Sequence, residues 1–149
     1  MQNEKDEMQL KKTENEAKKD FLNSYLEAKK AEKRIEIQIK ELQQNKLSPG
    51  CFSSDGMPRG SNTSDLSDYA AKLDELEQEL WTERYRKLFE FERVQKAIEE
   101  MPYEDEKLVL TYKYINNFRW SKIASEMGYA VRSVQYIHGD ALKHIHIKK

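Results

Sequence analysis

Two chain breakers divide this sequence into three parts. Proline lacks a backbone N–H and its ring clashes with the preceding turn, so the run Leu47-Ser48-Pro49-Gly50 and the later Pro102 each end any helix that reaches them. Ahead of the first break, apolar residues fall at Phe21, Tyr25, Ala28, Ile35, Ile39 and Leu42, a heptad seam interrupted by Glu32. Ile35, Ile37 and Ile39 also alternate as a strand would, but the surrounding Glu, Lys, Gln and Ala favour helix. Residues 1–20 are almost wholly polar and are expected to be frayed or disordered. Residues 48–63, SPGCFSSDGMPRGSNT, read as a Ser/Gly/Pro-rich loop. Ser64 or Asp65 is then placed to cap a second helix, whose stripe runs through Leu66, Tyr69, Leu73, Leu76 and Leu80 and on through Tyr85, Leu88, Phe91 and Ile98. At about 1.5 Å per residue that helix would be roughly 55 Å long. The expected fold is therefore all-α. Over residues 21–101 two long helices form an antiparallel hairpin or coiled coil, with self-association through the same seams as the rival packing.

Composition narrows the function classes. Charged residues make up 36% of the chain, above the roughly 25% of an average soluble domain, and mean hydropathy is −0.96. No apolar run approaches the roughly 20 residues that a membrane-spanning helix needs, and MQNEKDEMQLKK has no signal-peptide core. A lone cysteine, Cys51, allows neither an internal disulfide nor a cysteine metal cluster. These features point to a cytoplasmic protein with no membrane partner. The net charge of −1 hides a gradient: residues 64–101 carry 6 basic and 11 acidic side chains, whereas from Lys107 onward the tally is 8 against 2. A basic end suggests an anionic partner for that end.

Residues 102–149 differ in kind from the rest. A short helix from about Tyr103 to Ile115, with Leu108, Tyr112 and Ile115 at helical spacing, should end at Asn116-Asn117, since asparagine tolerates the left-handed conformation. A helix from about Trp120 to Met127, a turn at Gly128 and a helix from about Val131 to Ile145 follow. Within WSKIASEMGYAVRSVQYIHG each position has a steric task. Ala124 must be small where the second helix crosses, and Gly128 supplies a positive φ. Val134 and Ile137 turn inward to meet Ile123 and Met127. This is the pattern of a helix-turn-helix DNA-binding domain.

The segment LVLTYKYINNFRWSKIASEMGYAVRSVQYIHGDALKHI resembles region 4 of bacterial sigma factors, the domain that reads the promoter −35 element. The whole chain is similar to phage late-gene regulators of the ArpU/RinA type and to streptococcal phage relatives, and the loop GMPRGSNTSD, Gly56 to Asp65, resembles the latter. That resemblance implies a phage or prophage transcriptional regulator that acts on double-stranded DNA at the nucleoid of a bacterial host. RNA polymerase is a further candidate partner, as is a second copy docked through the long helices. Carried across, the base-reading positions fall on Val131, Arg132, Gln135 and Tyr136, and the phosphate-binding ones on Arg119, Lys122 and Lys143. Arginine can donate bidentately to guanine, glutamine can pair with adenine and valine can touch a thymine methyl. Two departures stand out. Arg119 and Ala130 occupy cap positions usually held by Ser or Thr, and no segment resembles the sigma region that opens the −10 element.

Two other classes fit the same features: a small-terminase-like subunit that recognises DNA for packaging, and a coiled-coil scaffold without DNA. The usual order of domains in small terminases, DNA-binding part first, disfavours the former. His138, His144 and His146 are read as a frayed basic tail in preference to metal ligands. Glu104, Asp105 and Glu106 are read as favourable charge at a helix start. With no phosphate loop, nucleophile–base pair or metal-ligand cluster, the expectation is a non-enzyme without cofactor or metal.

Overall fold

A computed structural model describes residues 1–46 and 62–148, and side chains over 1–45 and 66–148. The fold is all-α: a long antiparallel hairpin of α1 (Gln2–Lys46) and α2 (Asn62–Glu99), then a small cluster of α3 (Glu104–Leu110), a π-helical turn (Thr111–Ile115), α4 (Trp120–Met127) and α5 (Val131–His144). Asn62 and Thr63, expected in the 48–63 loop, open α2, and the rest of that expected stretch, with Cys51, lies outside the described residues. So do the side chains of Ser64 and Asp65, and α2 begins at Asn62, ahead of both expected caps.

Residues 2–20 are helical, not disordered, and form the first turns of α1. Their Glu, Lys and Gln have high helix propensity, and extending an existing helix avoids the cost of nucleating one. Lys18 pairs with Glu14 at 3.2 Å and its Nζ donates to the Leu142 carbonyl at 2.9 Å.

The chain divides into two compact units, one of Ala28–Lys87 and one of Met1–Glu27 with Leu88–Lys149. In the first, Ala28, Ile35 and Leu76 are buried, and Ile39, Leu42, Leu73 and Leu80 are half-buried. Glu32 does not interrupt this seam; it occupies it. It is buried and accepts from Arg84 Nε at 3.1 Å and from Lys87 Nζ. Burial pushes its pKa up, but the bonds and charges of Lys87 and Arg84 outweigh this and hold it below the usual value. Leu66, Trp81 and Tyr85 are exposed, so the stripe expected through Leu66 and Tyr85 leaves the seam at those positions.

In the second unit the expected boundary at residues 101/102 does not separate two bodies. One core joins Leu22, Val94, Ala97, Ile98 and Met101 of the long helices to Leu110, Tyr114, Ala141, Leu142 and Ile145. A helical cluster this small cannot close a core alone, and the middle of α1 and the C-terminal end of α2 supply the missing wall. The inward stripe of α3 is Glu106, Val109 and Leu110, one position off the expected Leu108, which is exposed. Leu88 is exposed as well. The tail is docked, not frayed: Ile145 is fully buried and Lys148 Nζ lies 2.9 Å from Glu100 Oε1. Among the described residues no helix is long and apolar enough to cross a membrane.

Candidate nucleic-acid interface

A left-handed residue stands near each end of α4, Asn117 ahead of it and Gly128 after it. Asn117 takes a positive φ of 56°, the conformation asparagine tolerates best after glycine. Arg119 is extended and serves as N-cap, its carbonyl accepting from the amides of Lys122 and Ile123 at 3.0 and 3.1 Å. At the other end Gly128 sits at φ 70°, ψ 26°, and its N–H donates to the Ala124 carbonyl, as does that of Tyr129 at 3.1 Å. Ala130 is the N-cap of α5. Neither Arg119 nor Ala130 makes a side-chain cap bond, so each helix start forgoes a contribution of about 1 kcal/mol.

Ile123, Ala124 and Val134 are buried together with Val109, and Met127 and Ile137 pack against them from half-buried positions. Tyr112, Phe118 and Trp120 complete this second core. The six positions expected to form a helix-turn-helix core thus comprise five packing side chains and the Gly128 turn.

On α5 the buried residues are Val134, His138, Ala141 and Leu142. Val131, Arg132, Gln135 and Tyr136 are exposed, Tyr136 by 66%. Arg132 and Tyr136 lie opposite the buried stripe and Gln135 flanks it, whereas Val131, three residues before Val134, shares the inward side and is exposed at the first turn. Arg132 and Gln135 make no side-chain hydrogen bond or ion pair with any described residue, so their donors are available. The three expected phosphate positions differ from one another. Arg119 is exposed and unpaired among the described residues. Lys122 Nζ lies 4.6 Å from the centroid of the Phe118 ring. Lys143 Nζ is engaged by Asp140 Oδ1 at 2.9 Å.

Polar contacts not anticipated from the sequence brace this assembly. Tyr114 Oη and His138 Nε2 share a buried hydrogen bond of 2.8 Å, and the Trp120 ring meets the His138 ring edge-on at 5.0 Å between centroids. Both carboxylate oxygens of buried Glu106 lie 2.9 Å from His144 Nδ1. The Tyr129 hydroxyl donates to Asp105 Oδ2 at 3.1 Å, and Lys107 Nζ to Glu104 Oε1 at 3.1 Å. The acidic triplet therefore holds three separate partners besides lying at the start of α3. A signal for His138 was present: it follows Val134 by four residues and so shares its inward face. Gly139 has nothing within 4 Å of where a Cβ would stand, and the packing around it does not require glycine. Among the described residues no group of three His, Cys, Asp or Glu could hold a metal ion. Comparison with family models, with curated proteins and with solved structures finds no match to this chain.

Proposed function

We propose that the protein is a sequence-specific DNA-binding transcriptional regulator, of phage or prophage origin, that contacts promoter DNA through α4 and α5. The observation that carries this reading is the exposed face of α5. Arg132 and Gln135 project from one side with free donors, while the other side is rooted in two cores. A helix fixed on its inner face, with unpaired donors at Arg132 and Gln135 outside it, is suited to a major groove, which admits a helix and offers a distinct pattern of donors and acceptors at each base pair. The αL turn at Gly128 and the basic balance from Lys107 onward support the same reading, as does the resemblance to sigma region 4.

The test separates reading from gripping. An operator is first selected from a random duplex library with the full chain, and two variants are then profiled on it at two salt concentrations. Arg132→Ala should flatten the preference at one base pair, at a cost of about 1–3 kcal/mol in discrimination. Lys122→Ala should weaken all sequences alike. A chain that enriches no sequence above the starting library overturns the reading. Arg132→Ala lowering every site equally would overturn the assignment of the reading face.

A further inference from the structure

Seven lysines and arginines are described between residues 102 and 148, and they fall into two groups. Lys107, Lys143 and Lys148 each sit on a carboxylate, at 3.1, 2.9 and 2.9 Å. Lys113, Arg119, Lys122 and Arg132 have no carboxylate within 4.0 Å among the described residues. Of these four, Arg132 is on the reading face of α5, and the other three belong to the segment that enters α4: Lys113 in the π-helical turn, Arg119 at the N-cap and Lys122 in the first turn. Lys113 Nζ stands 4.4 Å from the centroid of the Trp120 ring, and Lys122 Nζ 4.6 Å from that of Phe118. Phe118 and Trp120 are the two neighbours of Arg119 in the chain, so two ammonium groups lie over the rings that bracket a third cation.

An aromatic face restrains an ammonium without neutralising it. A carboxylate partner does neutralise it, and must be given up before that cation can serve a phosphate. Three cations on the one short segment from the π-helical turn to the first turn of α4, none with a carboxylate partner among the described residues, leave an anion as the counterion that would complete them. On the reading above, that anion is the DNA backbone. We infer that Lys113, with Arg119 and Lys122, forms the phosphate clamp of this domain, and that Lys143 is not part of it. The inference rests on the proposed DNA-binding function and adds a residue, Lys113, that the sequence pattern did not single out. Lys113 belongs to the π-helical turn ahead of α4, outside both motif helices, and reaches α4 only because its stem is half-buried and its head lies over Trp120.

The experiment measures the salt dependence of binding by the full chain to a random-sequence duplex. Each phosphate neutralised contributes roughly 0.9 to the slope of log K against log salt. Lys113→Met keeps the alkyl stem and removes the charge, so the slope should fall by about one, and Lys113→Arg should restore it. Lys143→Met should leave the slope within about 0.3 of wild type. Melting at pH 7 checks that each variant is folded. Should Lys113→Met keep the wild-type slope, or Lys143→Met lose as much as Lys113→Met, the clamp is wrongly assigned while the DNA-binding reading stands. A wild-type chain that binds no duplex even at low salt overturns both.

Discussion

Tyr114 Oη lies 2.8 Å from His138 Nε2, which ties the π-helical turn to the middle of α5. Burial raises the Tyr114 pKa to about 12, and burial, reinforced by Lys19 and Lys113, lowers that of His138 to about 4. Both partners are therefore neutral at pH 7. The unfolded chain takes up the histidine proton near its ordinary value of 6.5, before the folded chain does. Stability from this site is complete above pH 6.5 and is lost as pH falls toward 4, by up to about 3 kcal/mol. Melting temperature should fall across this window in the wild type and much less in His138→Gln. Equal pH profiles for the two proteins would contradict the account.

The shared core predicts that residues 102–149 are not an autonomous domain. An isolated fragment loses Leu22, Val94, Ala97, Ile98 and Met101 from the wall that covers Leu110, Tyr114 and Leu142. It should show no cooperative thermal transition by circular dichroism. In the full chain Leu22→Ala, at a fully buried position of α1, should cost about 2–5 kcal/mol.

In the other unit the two seam positions Glu32 and Leu76 should respond in opposite ways. Leu76→Asp places a charge in a buried apolar position and should cost several kcal/mol. Glu32→Leu removes a buried carboxylate whose partners, Arg84 and Lys87, can both turn to water. Replacing buried ion pairs with apolar residues is often neutral or stabilising. Chemical denaturation should place Glu32→Leu at or above wild type, and a loss above about 2 kcal/mol would show that the pairs stabilise more than they cost.

The two described glycines offer a matched pair. A Cβ would meet nothing within 4 Å at either, so only the backbone distinguishes them. Gly128 is left-handed at φ 70°, and Gly128→Ala should destabilise by about 1–2 kcal/mol. Gly139 lies within α5, and Gly139→Ala should stabilise by about 0.5–1 kcal/mol. Thermal melts of the two variants should move in opposite directions.

The bounds of α4 and the start of α5 were legible in the sequence because local chemistry sets them. Gly128 and Asn117 are turn residues with a backbone reason to be there, and Ala124, Val134 and Ile137 keep the spacing that packing demands. The α2 seam was legible only in part. It continues at heptad steps from Leu73, Leu76 and Leu80 through Glu83, Lys87 and Glu90 to Val94, with polar side chains filling the middle. Apolar periodicity instead follows Tyr85 and Leu88 onto the exposed face, because it weighs residue type and not register. The Glu106–His144 and Tyr114–His138 contacts span 38 and 24 residues, and no local spacing rule reaches that far. On α5 helical spacing separates outward Arg132 and Tyr136 from inward Val134, but it does not show that Val131, on the inward side, stays exposed at the first turn or that Asp140 engages Lys143.

The chain carries two tryptophans, and their surroundings make them unequal optical reporters. Trp81 is 71% exposed, so its emission already resembles that of an indole in water and changes little when its unit, Ala28–Lys87, unfolds. Trp120 is half-buried against His138 and beneath the Lys113 ammonium, and loses that environment when the unit bearing α4 and α5 opens. Fluorescence excited at tryptophan wavelengths therefore follows one unit, while helical ellipticity sums over both. Superimposable melts from the two probes would mean one cooperative transition, and displaced ones would resolve two without the introduction of a label.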